Sequence, residues 1–131
     1  MKARVIIILG AAWISSGMFA YAHHSFSATY VPDDPATRLT IKGEIVQLQF
    51  RNPHSFVHVM APDENGKMQR WSAEWAEGGR LAREGVTRET LKVGDVVVVA
   101  GPRARKAGDH RLLLRKIERP LDGWVWSGEF D

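Results

Sequence analysis

The 131-residue chain contains no cysteine. That one absence removes disulfides, thiolate metal sites, covalent haem attachment and thiol nucleophiles together. The longest apolar stretch, Val5 to Phe19, is short for a membrane span of ~20 residues and is interrupted by Ser15-Ser16-Gly17. There is no internal repeat, no low-complexity tract and no His-Glu-x-x-His sequence. Ser25, Ser55 and Ser72 lack the setting of an activated serine. These absences leave no pattern that demands an enzyme.

What is present begins with a leader. Lys2 and Arg4 precede the apolar stretch, and Ala20-Tyr21-Ala22 offers small residues at the positions a signal peptidase reads, so residues 1–22 are expected to be a signal peptide cleaved after Ala22. An uncleaved anchor is the poorer reading. Cleavage lowers the formal charge from +3 to +1 and leaves 109 residues, enough for one modest core. The product is expected in the periplasm or the medium, with no nucleic-acid partner and with the membrane involved only in export.

Residues 23–38 are polar and turn-rich, with Pro32-Asp33-Asp34-Pro35 as a breaker, and read as an N-terminal arm whose commonest fate is a floppy terminus. Residues 39–120 form the domain. Leu39 to Phe50 is the first strand: Leu39, Ile41 and Ile45 keep one alternation phase and Val46, Leu48 and Phe50 the other, which predicts a bulge near Ile45-Val46, after Gly43. Ser55 to Ala61 and Met68 to Trp75 are the second and third strands, joined across Asn65-Gly66. Short helical turns are expected at Arg80 to Glu84 and Thr87 to Leu91, the latter with Thr87 as N-cap. Val96 to Ala100 reads as a strand buried on both faces, and His110 to Glu118 as the fifth strand. Residues 121–131, with Trp124 and Trp126, form an aromatic tail that either covers an edge or lies exposed. Three strands, a short helical connection and two more strands predict a mostly all-β fold, a small five-stranded OB-fold-like barrel.

The second strand carries the sharpest chemistry. Asn52-Pro53 marks a turn, after which His54, Phe56, His58 and Met60 share one strand face. Imidazole suits copper, zinc and nickel, and a thioether suits Cu(I). His54 and His58 lie about 13 Å apart at ~3.3 Å per residue, so they do not hold one ion as a pair. A second histidine pair, His23 and His24, opens the processed chain.

Ala22-His23-His24-Ser25-Phe26, Gly43-Glu44-Ile45, Asn52-Pro53-His54, Trp71 and Leu91-Lys92-Val93-Gly94-Asp95 together resemble a family of small secreted bacterial proteins of unknown function. The resemblance covers essentially the whole processed chain. It implies export and a barrel-like fold carrying an Asn-Pro-His motif, and it brings no established activity. An N-terminal histidine also resembles the copper-binding start of periplasmic copper carriers and copper monooxygenases, where its amine and ring chelate the ion and a histidine from the body completes the site. The resemblance makes His23 the first ligand, with His24, His54, His58 or Met60 as the others.

A metal-free alternative uses the face of strands two and three. Phe56, Trp124 and Trp126 offer stacking surfaces for a sugar, peptide or quinone-like ring, and Asn52, Arg51 and Arg70 offer polar contacts, whereas Trp71 and Trp75 belong in the core. Glu44, Glu74 and Glu77 read as solvated strand carboxylates. Arg103, Arg105, Lys106, Arg111, Arg115 and Lys116 form the one basic concentration and read mainly as a solvated loop and strand face. The expected function is that of a non-enzymatic exported accessory module holding copper or zinc. The alternative is a module for a small organic ligand or a periplasmic protein partner. Nothing in the chain sets an oligomeric state.

Overall fold

The computed structural model describes residues 26–130. Strands β1 (Leu39–Gln49), β2 (Ser55–Pro62) and β3 (Met68–Trp75) run antiparallel in sequence, and the helix α1 (Gly78–Arg83) leads from them towards β4 (Val96–Gly101). β5 (Arg111–Leu113), β6 (Lys116–Arg119) and β7 (Trp124–Ser127) complete one sheet in the order β5-β3-β2-β1-β4-β6-β7. Among these described strands only the β3–β5 pairing is parallel. Among the described residues no helix is long and apolar enough to cross a membrane.

The mostly all-β expectation holds, but the five-stranded barrel is corrected to an open order of seven strands. Two features make the difference. The expected fifth strand divides at Leu114-Arg115: the Leu114 amide donates to Glu74 O at 2.8 Å, on β3, and the Arg115 amide donates to Ala100 O at 2.9 Å, on β4. Upstream the segment therefore pairs with β3, and downstream with β4. The tail then adds β7 alongside β6, which resolves it as a covering strand.

The register of β1 against β2 shifts between Ile45 and Gln47, where the phase of the apolar residues slips. Nearby, Gly43 lies so close to β2 that an added Cβ would stand 1.9 Å from Met60 O. Gly101 is similarly tight, with a Cβ there falling 1.7 Å from Leu113 O. Absence of a side chain is thus what lets these backbones approach.

The core lies mainly against one face of the sheet, with Ile45, Val59, Trp75, Val97 and Ile117 all fully buried, while β3 and β5 are covered on both faces near Glu74 and Leu113. β4 alternates instead of being covered on both faces: Val97 and Val99 are buried while Val96 is 48% exposed. Only its inner face meets the core. The Thr87 to Leu91 segment is a turn, not a helix, and Thr87 Oγ1 accepts the Glu89 amide at 3.2 Å within it. Leu81, carried inward by α1, is fully buried.

Candidate functional site

The Asn52-Pro53 turn is closed by Ser55, whose buried hydroxyl accepts the Arg51 amide and donates to Arg51 O, each at 3.3 Å. This fixes where His54 leaves the turn. Glu74 lies across from Phe56 in the β2–β3 ladder, on the outer face, and Leu113 of β5 stands on its other side. A carboxylate there is expected to be solvated. Instead Glu74 is 7% exposed, because the arm folds over it.

The arm is held at several points. The Val31 amide donates to Arg103 O at 3.0 Å, the Arg105 amide to Thr29 O at 2.9 Å, and Asp33 bridges Arg38 and Arg115 at 2.7 and 2.9 Å. Within the described residues the arm is thus bonded to the domain and is not a loose terminus. A helical turn at 26–29 sets Phe26 against the His54 ring, with centroids 4.8 Å apart, and turns Tyr30 inward.

Glu74 then gathers three partners. Its Oε1 meets His54 Nδ1 at 2.9 Å; its Oε2 accepts from the Tyr30 hydroxyl and from Arg111 Nη2 at 3.1 Å. Arg111 Nη2 also reaches the Tyr30 oxygen at 3.3 Å. Burial first, and then the adjoining carboxylate, push the Tyr30 hydroxyl well above its ordinary value of 10.0, so it remains a donor. With Nδ1–H directed at the carboxylate, the neutral form of the His54 ring is the tautomer whose Nε2 carries the free lone pair. No described residue hydrogen-bonds that Nε2. The arrangement orients one nitrogen of a partly buried ring, suited to ligate a metal ion or accept a proton.

From residue 23 onward Tyr30 is the only tyrosine, so tyrosinate absorbance in an alkaline titration reads it alone. Its folded pKa exceeds its unfolded one; the associated stability is intact below the unfolded value of 10.0 and is lost as pH rises towards the folded value. The folded chain is expected to show little tyrosinate at pH 10, with the signal arriving together with unfolding. Half-ionisation at pH 10 in folded protein would contradict this environment.

The other sequence-derived candidates divide. His23 and His24 lie outside the described residues. His58 and Met60 share the outer face of β2 as expected, but His58 contacts Gln49 Oε1 at 3.4 Å and stacks on Phe56, with centroids 6.2 Å apart. Burial, then the charges of Arg70 and Arg51, depress its pKa. Those guanidiniums also disfavour a cation beside it, which separates His58 from His54 as a metal ligand. Met60 stands beside Arg70 in the ladder and shares that handicap.

Arg51 lies over Phe56 at 5.1 Å, and Arg70 donates to Gln47. Asn52 is exposed at the edge of a groove of ≈ 350 Å³ between the turn and residues 86–88. Trp126 is corrected from ligand surface to core: it is 8% exposed, meets Trp75 edge-on at 5.1 Å, and donates from Nε1 to Glu84 at 2.8 Å. Trp124 is half-buried beneath Arg119. The basic concentration is largely internal pairing, since Arg111 serves Glu74, Arg115 serves Asp33 and Arg103 serves Glu64. Among the described residues no three His, Cys, Asp or Glu side chains converge as a ligand set.

Residues 12–113 match the model of a family of unknown function, DUF6152. The chain belongs to that family. A search of curated proteins gives no match. Family membership thus adds no activity to the geometry of His54 and Glu74. The residues that sequence reasoning missed are Glu74, Tyr30 and Arg111. Phe26 and Tyr30, two large aromatic residues in an otherwise polar arm, were the available signal that the arm packs down.

Proposed function

We propose that the chain is an exported, non-enzymatic accessory module that holds a copper or zinc ion between the N-terminal residue of the processed chain, His23, and Nε2 of His54. The observation that supports this most is the orientation of His54. Histidine ligands are commonly fixed by a carboxylate on the opposite ring nitrogen, which sets the tautomer and increases basicity. Glu74 stands in that relation to His54, at 2.9 Å.

Phe26, which follows His23 by three residues and His24 by two in the sequence, packs on the His54 ring. An amine and imidazole from His23 with His54 Nε2 give three nitrogens, a set that suits Cu(II) or Zn(II) better than calcium or magnesium. His24 is a further donor. The site draws on no thiolate, consistent with a chain free of cysteine.

The test is Cu(II) and Zn(II) titration of three proteins: the chain beginning at His23, the same chain with one glycine added before it, and His54→Ala. One-to-one binding by the first, weakened at least about tenfold in the other two, is the expected result. Equal affinity in all three removes the site.

A further inference from the structure

The outer face of β2 carries a second set of side chains that the His54 site does not use. Phe56 and His58 present nearly parallel rings, 12° apart in plane and 6.2 Å between centroids. Arg51 stands over Phe56, and Arg70 sits beside His58, bonded to Gln47. Arg38, Arg80, Arg83, Arg103, Arg111, Arg115 and Arg119 each have a carboxylate within ion-pair distance, whereas Arg51 and Arg70, like Arg88 and Arg105, have none among the described residues. Two exposed guanidiniums therefore flank a pair of rings without an acid to neutralise them.

The carboxylates nearest in the ladder do not supply that charge. Glu74 lies opposite Phe56, but it is committed to His54, Tyr30 and Arg111. Glu44 shares a row with Met60 and Arg70 without ion-pairing to either arginine. The combined charge of Arg51 and Arg70 also acts, after burial, to keep His58 from protonating.

We propose that this face docks an acidic polysaccharide whose sugar rings carry carboxylates. A guanidinium matches a carboxylate as a two-pronged donor, and a sugar ring lays its weakly positive C–H groups on the negative face of an aromatic ring. The surface is open and strand-like, which suits an extended polymer more than an enclosed small molecule. An acidic peptide would satisfy the arginines and leave the paired rings without a role.

The test uses the chain beginning at His23, freed of metal with a chelator so that the His54 site has no part in the result. The probe is an oligogalacturonate of defined length, compared with a neutral maltooligosaccharide and with oligoglutamate. Oligogalacturonate is expected to bind, to weaken as salt rises, and to shift the His58 ring resonances. Arg51→Gln and Arg70→Gln, both at exposed side chains, are each expected to reduce affinity about tenfold. Phe56→Leu, which keeps the charge, is expected to reduce it as well. The proposal is overturned by no binding of oligogalacturonate, by equal binding of the neutral sugar or of oligoglutamate, or by an Arg51→Gln/Arg70→Gln double variant that binds like the parent.

Discussion

Replacing Glu74 with alanine is expected to destabilise the fold by about 3 kcal/mol, the low end of the range for removing one partner of a buried ion pair. The loss strands Arg111 Nη2 and the Tyr30 hydroxyl and frees the His54 ring. The low end applies because the Arg111 side chain is still 36% exposed and water takes up part of its charge. Against a total stability of roughly 5–15 kcal/mol, this lowers the melting temperature by on the order of 10–20 °C. Glu74→Gln should fall between, since an amide accepts from one donor but turns its NH2 towards another. Thermal and denaturant unfolding of both variants reads the effect. A change within about 0.5 kcal/mol for the alanine variant, the size expected of an open surface position, would mean that Glu74 faces water and the arm does not cover it.

Gly43→Ala and Gly101→Ala are expected to be more damaging than their size suggests. The added methyl groups would lie 1.9 Å from Met60 O and 1.7 Å from Leu113 O, against backbone atoms held in the sheet. Relief requires β1 to part from β2, or β4 from the 111–119 segment, with loss of hydrogen bonds as well as packing. A cost of about 3 kcal/mol or more is expected for each, with poorly cooperative unfolding. Gly66 offers a comparison, because a Cβ there meets nothing within 4 Å and only its φ of 78° penalises alanine, by about 1 kcal/mol. If Gly43→Ala costs no more than Gly66→Ala, the close approach of β1 and β2 is wrong.

How far the sequence was legible follows from how local each determinant is. The β2–β3 hairpin rests on Asn65-Gly66 and two alternating runs, and both strands fall where the pattern puts them, to within one residue. The β1 irregularity also announces itself, in the phase change at Ile45-Val46. By contrast, the burial of Glu74 depends on Tyr30, 44 positions upstream, and on Arg111, 37 positions downstream. Nothing around Ser72-Ala73-Glu74-Trp75 tells this carboxylate from one exposed on a strand. The break at Leu114-Arg115 is hidden in the same way, since consecutive amides there bond to strands that the segment itself does not encode. The sequence leaves Trp126 open between a covering and an exposed tail, because Trp75 and Glu84, which enclose it, come from other parts of the chain.

His54 was legible as a candidate from its place after Asn52-Pro53, but its orientation was not, because the carboxylate that sets it comes from the neighbouring strand. The most direct measurement is therefore of that orientation. Proton–nitrogen NMR on the chain beginning at His23, at neutral pH and without metal, distinguishes the two ring nitrogens of each histidine. The predicted result is that the neutral His54 ring carries its proton on Nδ1 and not on Nε2, with Nε2 of His54 and the nitrogens of His23 shifting together when one equivalent of Zn(II) is added. A His54 proton on Nε2, or Zn(II)-induced shifts that leave His54 unmoved, would contradict the account.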